Sequence, residues 1–277
     1  MKNIIFLILI SGIFFPSLFA QPRIKIEGHL QKNTYLLGEP IDFVLSIINT
    51  SNEEINGKFE GLKIGLLNPS NIYINHGIRS NGFPSTLSVK LEPKDTVYWS
   101  FDLIEVFGNS YDASPLYLYL PAGNYTLEIS LTSSDIQIQN EKLPFQIIKP
   151  KDSEAIVYNT FMNLVSRKHT SYEEAETLES IYNKYPNSVY APFILMVLEA
   201  NYDIKLKDHK KSLAIRKELL KNYPSTNIAK QMLDGVLKSL PNDLDRIEFL
   251  KKVQAGSKGN LMGKVYEKKL EALKKKE

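Results

Sequence analysis

The sequence predicts an α+β chain of two parts, an antiparallel β-sandwich followed by an array of α-helical hairpins. Apolar side chains recur every second residue up to Lys149 and every three to four residues from Asp152 onward, which are the periods of half-buried strands and amphipathic helices. The charge changes at the same place. Asp and Glu outnumber Lys and Arg by 14 to 10 over residues 21–149, and Lys and Arg outnumber them by 23 to 17 from residue 150. We therefore expect a sandwich at 21–149 and helices at 150–277.

Residues 1–20 have the pattern of a secretory signal peptide. Lys2 precedes an apolar run from Ile4 to Phe15, and the small residue Ala20 stands before Gln21. This pattern is typical of a leader removed on export, although a buried strand or a retained anchor also fits. No later run is apolar enough to cross a bilayer. We expect an exported protein of the periplasm, the cell surface or the medium, not transmembrane after cleavage, and without disulfides because it has no cysteine.

The predicted strands place apolar side chains on one face and polar side chains on the other. Such alternation is typical of antiparallel sheets with one buried and one solvent-exposed face. Turn residues separate the runs, as in a sandwich. The alternating positions are Ile24 and Ile26; Ile41, Phe43, Leu45 and Ile47; Val97, Trp99, Phe101 and Leu103; and Tyr125, Leu127, Ile129 and Leu131.

The turns of this part resemble those of exported immunoglobulin-like domains. The stretch YLLGEPI at 35–41, followed by LSIINTS at 45–51, is similar to an early hairpin of such domains, and LPAGNYTL at 120–127 is similar to a later turn. The resemblance covers residues 21–149 and implies the same fold. It implies no particular function, because this sandwich serves many unrelated roles.

Residues 150–277 are predicted to pack around one apolar helix. The stretch VYAPFILMVL at 189–198 is apolar on almost every side, so neighbouring helices are expected to cover it all round. The turn YPNS at 185–188 recurs as YPST at 223–226, 38 positions later, and periods near this value are typical of stacked hairpins. The expected elements are hairpins at 153–184, 188–222 and 225–254 and a capping helix at 260–276.

This second part resembles the tetratricopeptide-type repeats of bacterial envelope proteins. The resemblance is carried by YEEA at 172–175, by Leu178 and Ile181, and by YPNSVYA at 185–191. It implies a groove, lined by the first helix of each hairpin, for an extended protein or peptide segment. The residues expected to line this groove are Asn159, Asn163, Asn201, Lys230 and Asp234.

The repeated turns also predict local structure. Ser188 and Thr226 are expected to cap helix starts through their hydroxyl oxygens. Ala191 and Ala229 are small enough to let neighbouring helices approach. We expect these residues to be structural.

The sequence shows no grouping of residues typical of catalysis or metal binding. None of the four histidines (His29, His76, His169 and His209) has a partner at the spacing of metal ligands. The chain also lacks a nucleophile elbow and a phosphate-binding loop. We therefore expect no enzyme activity, cofactor or metal, and interpret the chain as an interaction or scaffold protein of the cell envelope.

Two alternative functions remain open. A carbohydrate-binding module would use Tyr111, Tyr117 and Tyr119 as a stacking platform, although tyrosines on strands more often pack against each other. A protease inhibitor would act through the polar loop Asn75–Asn81.

The end of the chain is basic. Between Lys205 and Glu277 there are 19 Lys and Arg against 9 Asp and Glu. Such a surface attracts an anionic envelope surface or an acidic partner, while lysines at the end of a helix also simply favour its dipole. Nucleic acid is not an expected partner, because no aromatic residues are interleaved with these lysines. The terminal lysines are Lys268, Lys269, Lys274, Lys275 and Lys276.

Overall fold

The computed structural model describes residues 23–60, 62–74, 86–111, 114–130, 136–139, 142–165 and 170–274. Within these ranges the chain is of the α+β class, with largely antiparallel sheets and eight α-helices. The last strand ends at Ile148 and the first long helix begins at Asp152, where the apolar period and the charge change. The β-rich half comprises the described residues up to Ile148, and the helical half those from Asp152. The predicted signal peptide lies outside the described residues.

The strands of the β-rich half are mostly short. Several lie between residues 55 and 91, where the apolar alternation is weak, because a strand packed on both sides or at an edge need not alternate. They are β1 (Ile24–Leu30), β2 (Thr34–Leu36), β3 (Asp42–Asn49), β4 (Ile55–Glu60), β5 (Lys63–Leu67), β6 (Tyr73–Ile74), β7 (Thr86–Leu91), β8 (Thr96–Asp102), β9 (Asn109–Tyr111), β10 (Ser114–Tyr119), β11 (Gly123–Ser130), β12 (Ile136–Gln139) and β13 (Lys142–Ile148).

Two larger sheets share one hydrophobic core. The first has the strand order β12-β1-β3-β8 and the second β2-β13-β11-β5-β6, while β4 pairs with β7 and β9 with β10. Buried side chains of both large sheets, such as Ile26 and Leu127, belong to the same apolar cluster. The pairings are antiparallel except for β1 with β12 and β2 with β13, which are parallel. The prediction of antiparallel sheets is therefore wrong for the two edge strands β12 and β2, which pair in parallel.

The expected alternation is confirmed on β11, where Tyr125, Leu127 and Ile129 are buried. The predicted apolar face of β3 is buried as well, but the expectation that the opposite face contacts solvent is wrong for β3 and β8, because both faces of these strands are covered. Ser46 and Ser100, on the faces predicted to contact solvent, are also buried. The helical half covers those faces, which a local pattern does not reveal.

Leu103 does not continue β8, although its apolar character fits the alternation. It begins the short helix α1 (Leu103–Phe107). The Asp102 carboxylate accepts the backbone N–H of Ile104 at 3.0 Å and caps this helix. An N-cap aspartate ends the strand here because it satisfies the first free N–H groups of the helix.

In the helical half, each of the first four long helices packs against the next one in sequence, and the last two pack against each other. Among the described residues, none of the helices combines the length and apolar character needed to cross a bilayer. The boundaries lie close to those expected from the apolar period. The helices are α2 (Asp152–Val165), α3 (Ser171–Lys184), α4 (Ala191–Ala200), α5 (His209–Asn222), α6 (Asn227–Ser239), α7 (Asp243–Gly256) and α8 (Leu261–Lys274), and a π-helical segment (Asn201–Lys205) follows α4.

The two Tyr-Pro turns have nearly the same backbone. Tyr185 has φ −130° and ψ 56°, and Tyr223 has φ −131° and ψ 42°. Thr226 caps α6 as predicted, by accepting the N–H of Ala229 at 3.2 Å. Ser188 accepts the N–H of Tyr190 at 3.2 Å, but Tyr190 is the residue before α4, which begins at Ala191, so this bond does not reach an N–H of the helix itself.

Candidate interaction surfaces

Helix α4 leaves one apolar face partly uncovered. Phe193, Met196, Val197 and Ala200 are half-buried and follow each other at helical spacing on one side of the helix. We call these four residues the α4 stripe. On the other sides, residues such as Leu195 are buried, so the expectation that neighbours cover this helix all round is wrong for one face.

The α4 stripe packs against side chains of neighbouring helices. The ring of Phe193 meets that of Phe161 on α2 edge-on, with centroids 5.3 Å apart and an interplanar angle of 70°. On the other side, Met232 of α6 is half-buried against the same apolar cluster. Phe161 is itself buried, so α2 supports the Phe193 ring from within the core, and the half-buried apolar side chains lie on α4 and α6.

A buried polar network holds the C-terminal end of α4. The Glu199 carboxylate, which is buried, accepts bonds from the Ser212 hydroxyl and from Arg216 Nε, both at 2.7 Å. Arg216 also lies 3.4 Å from Asp203 in the π-helical segment. This network ties the helix to α5 and keeps the α4 stripe in place.

The five residues predicted to line a groove have different environments. Asn159 and Asn163 are exposed one turn apart on α2, and Asp234 is exposed and pairs with Lys269. Asn201 is buried and donates to the Ser171 carbonyl at 3.2 Å. Lys230 Nζ points to the β-rich half, as described below. Asn201 and Lys230 thus make contacts within the protein. That these five residues contact a partner stays a prediction.

Lys230 belongs to a polar cluster between the two halves. Its ammonium group donates to the Ser100 hydroxyl at 2.6 Å, and this hydroxyl donates to Asn227 Oδ1 at 3.0 Å. The first N–H of α6, that of Asn227, donates to Asp42 Oδ1 at 3.0 Å. Asp42 Oδ2 accepts from Gln31 Nε2 at 3.2 Å. Backbone, amide and carboxylate groups thus join β3, β8 and α6.

Burial changes the acidity of this cluster. Burial, with the nearby negative charge of Asp102, raises the pKa of Asp42 to about 8. Burial and the charge of Glu105 raise the pKa of Asp102 to about 7. Burial, together with the positive charge of Lys269, lowers the pKa of Lys230. The interface therefore holds ionisable groups that titrate near neutral pH.

Both repeated turns of the helical half contact the β-rich half. The Tyr190 hydroxyl, just after the first turn, donates to the Leu37 carbonyl at 2.8 Å. In the second turn, the Ser225 carbonyl accepts from Gln31 Nε2 at 2.6 Å. Val44 is buried within an apolar cluster that is otherwise helical. The sequence carries one signal for this contact, an apolar Val44 on the face of β3 where polar residues are expected.

The remaining predicted residues are placed as follows. Tyr111 lies in β9, and Tyr117 and Tyr119 lie in β10, which pairs with it; their side chains are outside what the structure describes, as is the loop Asn75–Asn81. In the basic end, the side chain of Lys268 pairs with Asp95 of the β-rich half and Lys269 pairs with Asp234. Lys274 is exposed, and Lys275 and Lys276 lie beyond the described residues.

No protein family and no curated protein matches this chain. Among solved structures, a variant β-glucosidase of Listeria innocua in complex with laminaribiose is similar, with a TM-score of 0.28 and 15% identity over 45% of this chain and 16% of that one. A β-glucosidase of Erythrobacter marinus has a TM-score of 0.27 and 12% identity, with 45% and 15% covered. The DNA-bound alkylpurine DNA glycosylase of Pseudomonas fluorescens has a TM-score of 0.26 and 10% identity, with 45% and 30% covered. This chain spans less than a third of each protein, and such TM-scores carry no argument about fold or activity.

Proposed function

We propose that this chain is an exported, non-enzymatic interaction protein of the bacterial cell envelope. In this proposal an immunoglobulin-like sandwich supports tetratricopeptide-like hairpins, and the helical half binds an extended protein segment with apolar side chains. The core shared by the two large sheets supports the first part of the fold proposal. The matching backbones at Tyr185 and Tyr223 support the second.

The observation that carries the proposal is the α4 stripe. Apolar side chains that lie together at a protein surface are typical of interaction sites, whereas single exposed apolar residues such as Leu244 are ordinary. Met side chains adapt to partners of different shape, and Met196 and Met232 lie on this surface. The buried bonds of Glu199 keep the helix rigid, so little ordering is needed when a partner binds.

The proposal is tested with residues 21–277 immobilised as bait in an extract of the cell envelope of the source organism. The Met196→Lys variant places a charge in the α4 stripe at a half-buried position. The matched control is Leu244→Lys, at a leucine that is 71% exposed on α7. Circular dichroism verifies that both variants are folded.

We expect one or more proteins to be captured by the wild type and by Leu244→Lys and to be lost with Met196→Lys. An envelope extract from which the wild type captures nothing contradicts the proposal. Equal capture by the Met196→Lys variant contradicts it as well, because the partner would then not contact the α4 stripe.

A further inference from the structure

A second surface, distant in sequence from the α4 stripe, lies on the outer face of the five-stranded sheet. It contains a cleft of about 400 Å³, which is within the usual range for small-ligand sites. The described residues that line this cleft are all uncharged. Its polar side chains include those of Asn33, Thr34, Asn71, Asn124, Thr126 and Gln146.

Strand register places several of these side chains in rows. Gln146 of β13 pairs with Thr34 of β2 on one side and with Asn124 of β11 on the other. Paired residues of neighbouring strands point to the same face, so these three form one row across the sheet. The neighbouring residues Tyr125 and Phe145 point to the opposite, buried face, where their rings stack with centroids 5.5 Å apart. The row therefore rests on a rigid, packed support.

A tight turn holds the rim of the cleft. Asn68 Oδ1 accepts the N–H groups of Ser70 at 2.9 Å and of Ile72 at 3.0 Å. Asn71, with a φ of 58°, is in the left-handed region that asparagine tolerates. Gly123 lies against this turn so closely that a Cβ there would be 2.4 Å from Pro69 Cγ.

The amides of the cleft are available to a ligand. Within the part of the chain that is described, the side chains of Asn71, Asn124 and Gln146 have no hydrogen-bond partner, and Asn124 and Gln146 are exposed. Each amide offers both donors and an acceptor. A sugar hydroxyl is likewise both a donor and an acceptor, so amides suit it without any charge.

An aromatic ring is presented beside the cleft. Tyr73 is 60% exposed on β6, and its ring lies over Gly65, where a Cβ would be 2.8 Å from the ring. Its hydroxyl donates to the Glu128 carboxylate, which also pairs with Lys142 at 2.8 Å. This bond fixes the ring with one face open. The ring thus reaches Glu128 on β11, and four residues of this strand, about 14 Å, separate Glu128 from Asn124, so an oligosaccharide of three or more sugars is long enough to cover that distance.

We infer that this face of the β-rich half binds a neutral glycan. The Tyr73 ring covers the C–H face of one sugar, because an aromatic ring combines an apolar face with a negative quadrupole. The amides of Asn124 and Gln146 bond the hydroxyl groups of the next sugars. This site differs in position from the Tyr111, Tyr117 and Tyr119 platform, and it is independent of the proposed binding by the helical half.

Isothermal titration of residues 21–277 with cellohexaose, maltohexaose, xylohexaose and chitohexaose tests this inference. We expect binding of at least one of them, weakened about tenfold by Tyr73→Ala and by Asn124→Ala. Tyr73→Phe keeps the ring and is expected to keep binding within about threefold, on the same scale of affinity. The matched control is Tyr172→Ala, at a tyrosine that is 73% exposed on α3, and it leaves binding unchanged.

The inference is overturned if none of the four oligosaccharides binds, or if Tyr73→Ala and Asn124→Ala bind as the wild type does. It is also overturned if a library of unstructured peptides binds in place of the oligosaccharides and Tyr73→Ala abolishes that binding. The surface would then be a peptide site.

Discussion

Asp42 contacts the helical half directly through one carboxylate oxygen, and its other oxygen bonds Gln31, which itself donates to Ser225 of the helical half. One accepts the first N–H of α6 and the other the amide of Gln31. Its neighbourhood is mainly acidic, since Asp102, Glu39 and Glu105 all raise its pKa. Lys230 is held to Ser100 nearby. The carboxyl group is only 5% exposed, so its ionisation is costly and the protonated form is favoured in the folded state.

The raised pKa makes stability depend on pH. In the unfolded chain Asp42 titrates near pH 4 and in the folded protein near pH 8. The folded state therefore binds this proton more tightly, and the free energy of unfolding falls as the pH rises from about 4 to 8. Between pH 5 and pH 8, the free energy of unfolding of Asp42→Asn is expected to fall by less than that of the wild type. The two falls should differ by an amount on the order of 2 kcal/mol.

Urea unfolding at pH 5, 6, 7 and 8 measures this effect. Asp234→Asn is the matched control, because its side chain is 65% exposed, and it is expected to keep the wild-type slope. An unchanged slope in Asp42→Asn would show that Asp42 is ionised without cost in the folded protein.

At this scale, the sequence predicts which apolar residues are buried but not which polar ones are. Ile47 and Leu127 follow the alternating pattern and are buried as expected. Asp42 and Ser100 follow the same pattern on the opposite face and are also buried. An alternating pattern shows which face of a strand is apolar, but it does not show which part of the protein packs on the other face.

At the scale of elements, the repeated turn shows both the strength and the limit of a motif. The two Tyr-Pro sequences predict nearly identical backbones, and these are observed. The helix that follows nevertheless starts differently. The Ser188 hydroxyl donates to Glu154 of α2 at 2.7 Å and accepts the N–H of Tyr190, just before α4, at 3.2 Å. The two turns therefore share a backbone conformation, but their serine and threonine make different contacts.

The close packing of α7 and α8 depends on Gly263. A Cβ at this position would lie 2.6 Å from the backbone carbonyl oxygen of Ser257, and backbone cannot move aside as a flexible side chain can. We expect Gly263→Ala to lower the free energy of unfolding by about 1–3 kcal/mol through overpacking. Equilibrium unfolding in urea at pH 7 measures this loss.

Gly235→Ala is the comparison for Gly263→Ala. Gly235 also lies within a helix, but its Cβ would meet a side-chain atom, Arg216 Nη1, at 3.0 Å, and not backbone. Alanine there is expected to cost less than Gly263→Ala, because the gain in helix propensity, up to about 1 kcal/mol, offsets the small shift required of the Arg216 side chain. Equal stability of both variants would mean that α7 and α8 are not in such close contact.

At the scale of the whole molecule, the two halves share part of their core. Val44 of β3 is buried among helical residues, and Tyr98 of β8 packs against the same cluster. The bond from Asn227 to Asp42 joins residues 185 positions apart. The link between the last strand and the first long helix is short, so the two halves lie near each other, but the choice of contact surface depends on how both halves fold.

This shared core predicts that the wild type unfolds in one transition and that a charge at the interface divides it into two. Val44→Asp buries a carboxylate without a partner where the side chain is now 2% exposed, a cost that undocking of the halves avoids.

The single tryptophan, Trp99, packs on the β core and reports on the β-rich half, while ellipticity at 222 nm reports mainly on the helices. In the wild type both signals are expected to change at the same urea concentration, as two-state unfolding requires. In Val44→Asp the two midpoints should separate, whereas Ile148→Asp, at a residue that is 37% exposed, should keep them together. Coincident midpoints in Val44→Asp would mean that the halves are coupled by something other than this interface.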